Sequence, residues 1–86
     1  MSNYAIIFTR SARKEFEKLP LPLELRISCR LDELESNPRP PGCQKLRGQK
    51  DSWRIRIGDY RVIYTIDDLN NVVDIIHVRH RKNAYD

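Results

Sequence analysis

Three arginines in this sequence have the spacing to share one face of a hairpin. The run Trp53-Arg54-Ile55-Arg56-Ile57, the pair Gly58-Asp59 and the run Tyr60-Arg61-Val62-Ile63-Tyr64 alternate apolar and basic residues with the period of half-buried strands. Gly-Asp between two such runs is a two-residue turn signal. With Gly58 and Asp59 as the loop, Ile57 faces Tyr60, Arg56 faces Arg61, Ile55 faces Val62, Arg54 faces Ile63 and Trp53 faces Tyr64. One face then carries Trp53, Ile55, Ile57, Tyr60, Val62 and Tyr64, a surface ready for a core. The other carries Arg54, Arg56 and Arg61. Like charges directly across a hairpin destabilise it, so such a cluster implies either a well-solvated face, with the arginine stems covering apolar surface, or a place where an anion sits. The hairpin alone leaves both readings open.

Other chemistries find little support. Asp74, His77 and His80 are spaced by three, and on a regular strand that spacing alternates faces, which argues against a shared metal shell. Cys29 and Cys43 form neither a disulfide framework nor a zinc spacing, and nothing places them beside a histidine as a nucleophile. With three glycines there is no phosphate-binding glycine loop. The acids fall in the second helix and the second turn, where they look solvated. What remains is basic and aromatic: Arg54, Arg56, Arg61, Arg79, His80, Arg81 and Tyr85. Guanidiniums bind phosphate bidentately and stabilise a charged transition state. Tyrosine stacks on a base or holds a phosphate oxygen. RNA brings its own nucleophile, the 2′-hydroxyl, so an enzyme that aligns it with the adjacent phosphate needs positive charge, orientation and a proton relay. No cofactor is called for.

These residues need a small scaffold. Eighty-six residues make one domain, and 33% charged residues imply a large polar surface around a modest core. The net charge of +4 is uneven: residues 43–65 carry six Lys/Arg against two acids, while residues 66–76 carry three acids and no base. That asymmetry is a weak pointer to a polyanion. Tyr4–Phe8 reads as a strand, with Thr9 or Ser11 capping a helix whose buried stripe is Ala12, Phe16 and Leu19. Arg10, Lys14 and Lys18 line another side of it, as a solvated face or a phosphate-contacting ridge. Pro20 and Pro22 break this helix and start another, with Leu23, Ile27, Leu31 and Leu34 buried and Asn37-Pro38 at its end. Residues 37–50 read as one long basic loop, with Leu46 tucked onto the core. After the hairpin, Asp67 to Asn71 is a turn. Val72 to Val78, apolar on both parities except for Asp74 and His77, reads as a central strand covered on both sides. The expected class is α+β, in the order β-α-α-β-β-β: a small, mostly antiparallel sheet with a two-helix hairpin on one face. No membrane span or secretory signal is evident, and a reduced cytoplasmic setting is expected.

Lys45-Leu46-Arg47-Gly48, the hairpin from Trp53 to Tyr64, and His77-Val78-Arg79-His80-Arg81-Lys82-Asn83-Ala84-Tyr85 together resemble the RelE toxins of the RelE/ParE superfamily, the toxin halves of bacterial type II toxin–antitoxin pairs. The resemblance covers essentially the whole chain, residues 1–86, as a single RelE-like domain. It implies a ribosome-dependent endoribonuclease that enters the A site and cuts the codon, leaving a 2′,3′-cyclic phosphate and a 5′-hydroxyl. Arg54 and Arg56 then occupy two basic sites that are lysines in the best-known relatives, one activating the 2′-hydroxyl and one stabilising the transition state. Arg61 matches the arginine on the scissile phosphate, Arg81 the one that protonates or neutralises the leaving 5′-oxygen, and Tyr85 the tyrosine stacked on a codon base. Lys45, Arg47, Arg79, Lys14 and Lys18 are candidate RNA contacts. The implied partners are a RelB-like antitoxin, the ribosome with mRNA in its A site, and operator DNA only through the antitoxin complex.

One departure matters. Arginine is a poor general base, its pKa lying above about 12. His80 is then a candidate base, although it is equally a candidate structural histidine, and a mainly electrostatic mechanism is a third option. Two other functions share these residues: a ParE-like toxin that poisons DNA gyrase without cutting RNA, and a plain nucleic-acid-binding module. Arg81 and Tyr85 favour the nuclease.

Overall fold

The computed structural model describes residues 3–48 and 51–83. In chain order the elements are β1 (Ala5–Phe8), α1 (Arg10–Glu17), α2 (Leu21–Leu34), β2 (Gln44–Lys45), β3 (Ser52–Ile57), β4 (Tyr60–Asp67), β5 (Val72–His80) and a short 3₁₀ turn, Arg81–Asn83. The strands form one sheet in the order β1-β5-β4-β3-β2. β1 runs parallel to β5, and the other pairings are antiparallel.

The local signals act as their chemistry requires. Thr9 caps α1, its hydroxyl accepting the Ala12 N–H at 3.2 Å. Pro20 precedes α2 and Pro22 sits in its first turn, where a missing N–H costs nothing. The β3–β4 turn holds Gly58 at φ +59°, with positive φ at the first loop residue as a type II′ turn demands. Its register is the expected one, Ile57 opposite Tyr60 and Arg56 opposite Arg61. Ala12, Ile27, Leu31 and Leu34 of the helices pack on Ile55, Ile57, Val62, Tyr64, Ile66, Val73, Ile75 and Val78 of the sheet. The helix pair thus covers one sheet face.

Two features depart from the sequence reading. Within residues 37–50, Gln44 and Lys45 form the edge strand β2 against Arg54 and Trp53. Two residues have no period of their own, and β3 supplies the template. Leu46 does tuck inward, with 9% of its surface exposed. The second departure is in β5. Its mixed parity arises from a bulge. Tyr64 pairs with Ile75 but Ile63 pairs with His77, leaving Ile76 as an extra residue. Val73 and Ile75 face the helices before the bulge; Val78 and His80 do so after it. β5 is central, as expected, but its second face is half-buried rather than covered by another layer.

β1 accompanies β5 only as far as Ile75. Beyond it α1 takes over the open edge. Thr9 N donates to Ile75 O at 3.0 Å, the Thr9 hydroxyl donates to Ile76 O at 3.4 Å, and Glu15 Oε1 accepts the Val78 N–H at 3.0 Å. Buried backbone groups that a strand would pair are paired by a helix instead. On the other side of the core, the fully buried Tyr64 donates its hydroxyl to Pro38 O at 2.8 Å, fixing the start of the loop. Tyr64→Phe should therefore lower stability by about 1–3 kcal/mol, the usual cost of orphaning a buried acceptor. Urea unfolding reads this as a lower midpoint at unchanged slope, and an unmoved midpoint would show that the bond contributes nothing.

Candidate functional site

The strand register builds a row of like charge. Arg56 on β3, Arg61 on β4 and Arg79 on β5 are successive cross-strand neighbours, on the sheet face that the helices leave open. The next row along the same face is Arg54, Ile63 and His77. The 3₁₀ turn brings Arg81 to the end of the first row, because its backbone N–H donates to Asp59 O in the hairpin turn at 2.7 Å. Arg56, Gly58, Asp59, Tyr60, Arg61 and Arg81 line a cleft of about 270 Å³.

The arginines differ in what already holds them. Arg54 donates to the side-chain carbonyl of Gln44 on β2. Arg79 Nε donates to Glu15 Oε2 at 2.9 Å. Arg81 Nε lies 4.0 Å from Asp59 Oδ1, a loose and largely exposed pair. Arg61 Nε is buried and has no hydrogen-bond partner among the described residues. A buried donor without an acceptor is costly, and this one is in the middle of the row, on the cleft. Arg56, Arg61 and Arg81 line the cleft and together offer it guanidinium groups.

Glu15 organises the far end of the row. Its carboxylate meets the Val78 N–H, Arg79 Nε and, at 3.6 Å, His77 Nδ1. Burial pushes its pKa up, but the hydrogen bonds from Arg79 and Val78 and the charges of Arg79 and His77 outweigh that, and the carboxyl titrates below its ordinary 4.5.

The remaining expected residues fall in different places. His80 lies opposite Tyr60 on the helix side of the sheet, the rings edge to face at 5.3 Å. Its Nδ1 accepts the Lys82 N–H at 3.3 Å, which caps the 3₁₀ turn. The bulge instead turns His77 onto the arginine face, and it leaves Asp74 and His77 on one face with His80 on the other. Among the described residues no group of three or more His, Cys, Asp or Glu is placed to hold a metal. Lys45 is exposed at the sheet edge opposite Trp53, on the helix-side parity, and Arg47 is exposed just beyond it. Lys14 and Lys18 are exposed on α1 and at its end, in the helical layer. Tyr85 lies outside the described residues.

Asp59 and Glu15 also belong to the site. Asp59 was readable, since a turn between Arg56 and Arg61 must carry its side chain to the same end. Glu15 was not, since its contacts lie more than sixty positions away. Among the described residues no helix is long and apolar enough to cross a membrane.

The family model of the ParE toxin of the type II toxin–antitoxin system parDE matches residues 6–85. Toxin RelG of Mycobacterium tuberculosis is 32% identical over 83 residues, covering 95% of each chain. The mRNA interferase toxin RelE of Escherichia coli K12 is 31% identical over 83 residues, covering 94% of this chain and 86% of that one. Among solved structures, the archaeal RelE–RelB complex from Pyrococcus horikoshii aligns at TM-score 0.83 and 31% identity, over 95% of this chain and 99% of its counterpart. The intact E. coli RelBE toxin–antitoxin complex aligns at 0.81 and 32%, over 90% and 95%.

The Glu15 cluster gives a pH prediction. A carboxyl whose folded pKa is depressed adds stability that is complete above its unfolded value, here 4.5, and is lost as the pH falls through the lower folded value. Glu15→Gln should lower stability at neutral pH and flatten its decline below 4.5. Urea midpoints of the two proteins against pH test this: curves that stay parallel through the acid range would remove Glu15 from the linkage.

Proposed function

The chain belongs to the RelE-type toxins of type II toxin–antitoxin systems, and on that premise we propose that it is an mRNA interferase, an endoribonuclease that halts translation by cutting mRNA in the ribosomal A site. The observation that carries this reading is the cleft lined by the guanidiniums of Arg56, Arg61 and Arg81 on the open sheet face. A scissile phosphodiester seated there presents its two non-bridging oxygens to the guanidiniums, which complement the extra negative charge of a pentacoordinate transition state. The 2′-oxygen of the RNA attacks the adjacent phosphorus, the bond from phosphorus to the 5′-oxygen breaks, and the products are a 2′,3′-cyclic phosphate and a 5′-hydroxyl. One proton leaves the 2′-hydroxyl and one arrives at the 5′-oxygen.

Arginines do not take up the first proton. Of the residues lining the cleft, Asp59 and Tyr60 carry side chains that can accept one. Asp59 is the proposed acceptor, beside Arg56 and Arg61 and within 4.0 Å of Arg81 Nε. Arg81 neutralises the departing oxygen while water delivers its proton. Arg54 and Arg79, one row and one strand away, hold flanking phosphates, and Tyr85 stacks on a codon base. His80 supports the 3₁₀ turn that presents Arg81. The ribosome orders the mRNA.

The related E. coli and P. horikoshii toxins were solved in complex with RelB. For this chain the proposed partner is likewise a RelB-like antitoxin. It would cover the half-exposed Leu21 and Leu25, one turn apart on α2, and its acidic groups would neutralise the arginine face. Operator DNA would be met only through that complex, in the cytoplasm.

Primer extension on a reporter mRNA in a purified translation system, with and without ribosomes, tests the function. Cuts within A-site codons that need ribosomes are expected, with Arg61→Ala and Arg81→Ala slowing cleavage by about 100-fold or more. Asp59→Asn should slow it by about 100-fold or more as well, since general bases contribute about 10²–10⁴-fold. Growth arrest without cleavage would move the target to gyrase and leave the arginine face a binding surface.

A further inference from the structure

A second cleft, of about 430 Å³, opens on the other side of Tyr60. It is lined by Glu15, Lys18 and Leu19 of α1 and its end, Tyr60 of β4, and Val78, Arg79 and His80 of β5. Tyr60 lines both this cleft and the arginine cleft. Arg79, in its wall, is the cross-strand neighbour of Arg61. The two hollows thus share Tyr60 as a common wall near the hairpin end of the sheet.

The lining has the composition of a nucleotide site. Leu19, half-buried, gives an apolar patch, with the buried Val78 beneath it. Tyr60 and His80, held edge to face at 5.3 Å, give an aromatic wall. Lys18 is an exposed ammonium at the mouth. Glu15 would repel a phosphate if its charge were free, but its oxygens are taken by the Val78 N–H and Arg79 Nε at 3.0 and 2.9 Å. The net charge offered to a ligand is positive. The volume lies within the range of small-ligand sites, about 300–1,000 Å³.

We propose that this cleft is a second nucleotide subsite, which takes the nucleotide next to the phosphodiester held in the arginine cleft. The base lies on Leu19 against Tyr60 and His80, and its phosphate meets Lys18. Lys18 thus acts as part of a built site rather than as one step of a solvated ridge, and His80 reads a base rather than moving a proton. The inference rests on the RNA-cleaving function proposed above and extends it to the neighbouring nucleotide.

The test is equilibrium binding of short RNAs made uncleavable by a 2′-deoxy substitution at the cut position. A dinucleotide spanning the scissile phosphate is compared with trinucleotides extended by one residue at either end. One extension should tighten binding by about tenfold, in line with base–aromatic stacking. In Lys18→Ala and in Tyr60→Ala the ratio of trinucleotide to dinucleotide affinity should fall towards one, and His80→Ala should change which base is preferred there. Tyr60→Phe, which keeps the ring and the fold, should retain most of the ratio. An increment that survives in Lys18→Ala and Tyr60→Ala overturns the subsite while leaving the RNA function standing. If neither the dinucleotide nor the trinucleotides bind, the subsite is overturned, while primer extension with ribosomes decides the RNA function separately. Variants that weaken the antitoxin complex while the increment persists would give the cleft to the protein partner, and that too overturns the proposal.

Discussion

One extra residue in β5, Ile76, decides which side chains of that strand face the helices and which face the open side. Side chains on a strand alternate with a period of two, so an inserted residue exchanges the two faces for everything beyond it. Without the bulge at Ile76, the parity of Val73 and Ile75 would carry on through His77 and Arg79, sending both towards the helices and leaving Val78 on the open face. A buried unpaired guanidinium there would cost more than any gain from a regular ladder. With the bulge, Val78 completes the core and Arg79 falls into register beside Arg61. Both the apolar layer and the arginine row depend on that irregularity.

The row would still be costly if its charges were left bare. Two like charges 4 Å apart repel by about 1 kcal/mol in water and about 4 kcal/mol near a protein surface. The chain offsets this at the periphery. Glu15 takes Arg79, Gln44 takes Arg54, and Asp59 stands near Arg81. The centre is treated differently, since Arg61 keeps a buried nitrogen with no acceptor among the described residues. Only Arg79 and, loosely, Arg81 meet a carboxylate, while Gln44 offers Arg54 a neutral acceptor, so the row keeps a net positive charge facing the cleft. That is the pattern expected where an anion, rather than stability, is the reason for the cluster.

How much of this was readable in the sequence follows from the range of each interaction. The hairpin register, the Thr9 cap, the proline-started α2 and the buried stripes were legible because each is set by neighbours within a few positions. So was the arginine face, whose members Arg54, Arg56 and Arg61 lie on one hairpin. The bulge was not legible: mixed parity in Val72–Val78 fits a strand covered on both sides as well as a strand with an extra residue, and only pairing with β4 decides between them. The two-residue β2 and the Glu15 clamp were hidden for the same reason, being specified by partners distant in the chain. The site was therefore legible as a list of arginines, but not as an arrangement of His77, His80, Asp59 and Glu15 around them.

Arginine rather than lysine on the first hairpin strand has a structural consequence as well as a chemical one. A guanidinium is a rigid fork that stays charged, so it fixes phosphate geometry well and moves protons badly. A site built from such forks must find its proton acceptor elsewhere, and the nearest backbone that can supply one is the turn between the two strands. Here that turn is Gly58-Asp59, and the bond from Arg81 N–H to Asp59 O ties it to the segment carrying Arg81. One contact thus sets the spacing between the group proposed to receive the first proton and the group proposed to steady the departing oxygen. Proton transfer depends on tenths of an ångström between heavy atoms, so the turn matters to the chemistry as much as the arginines do.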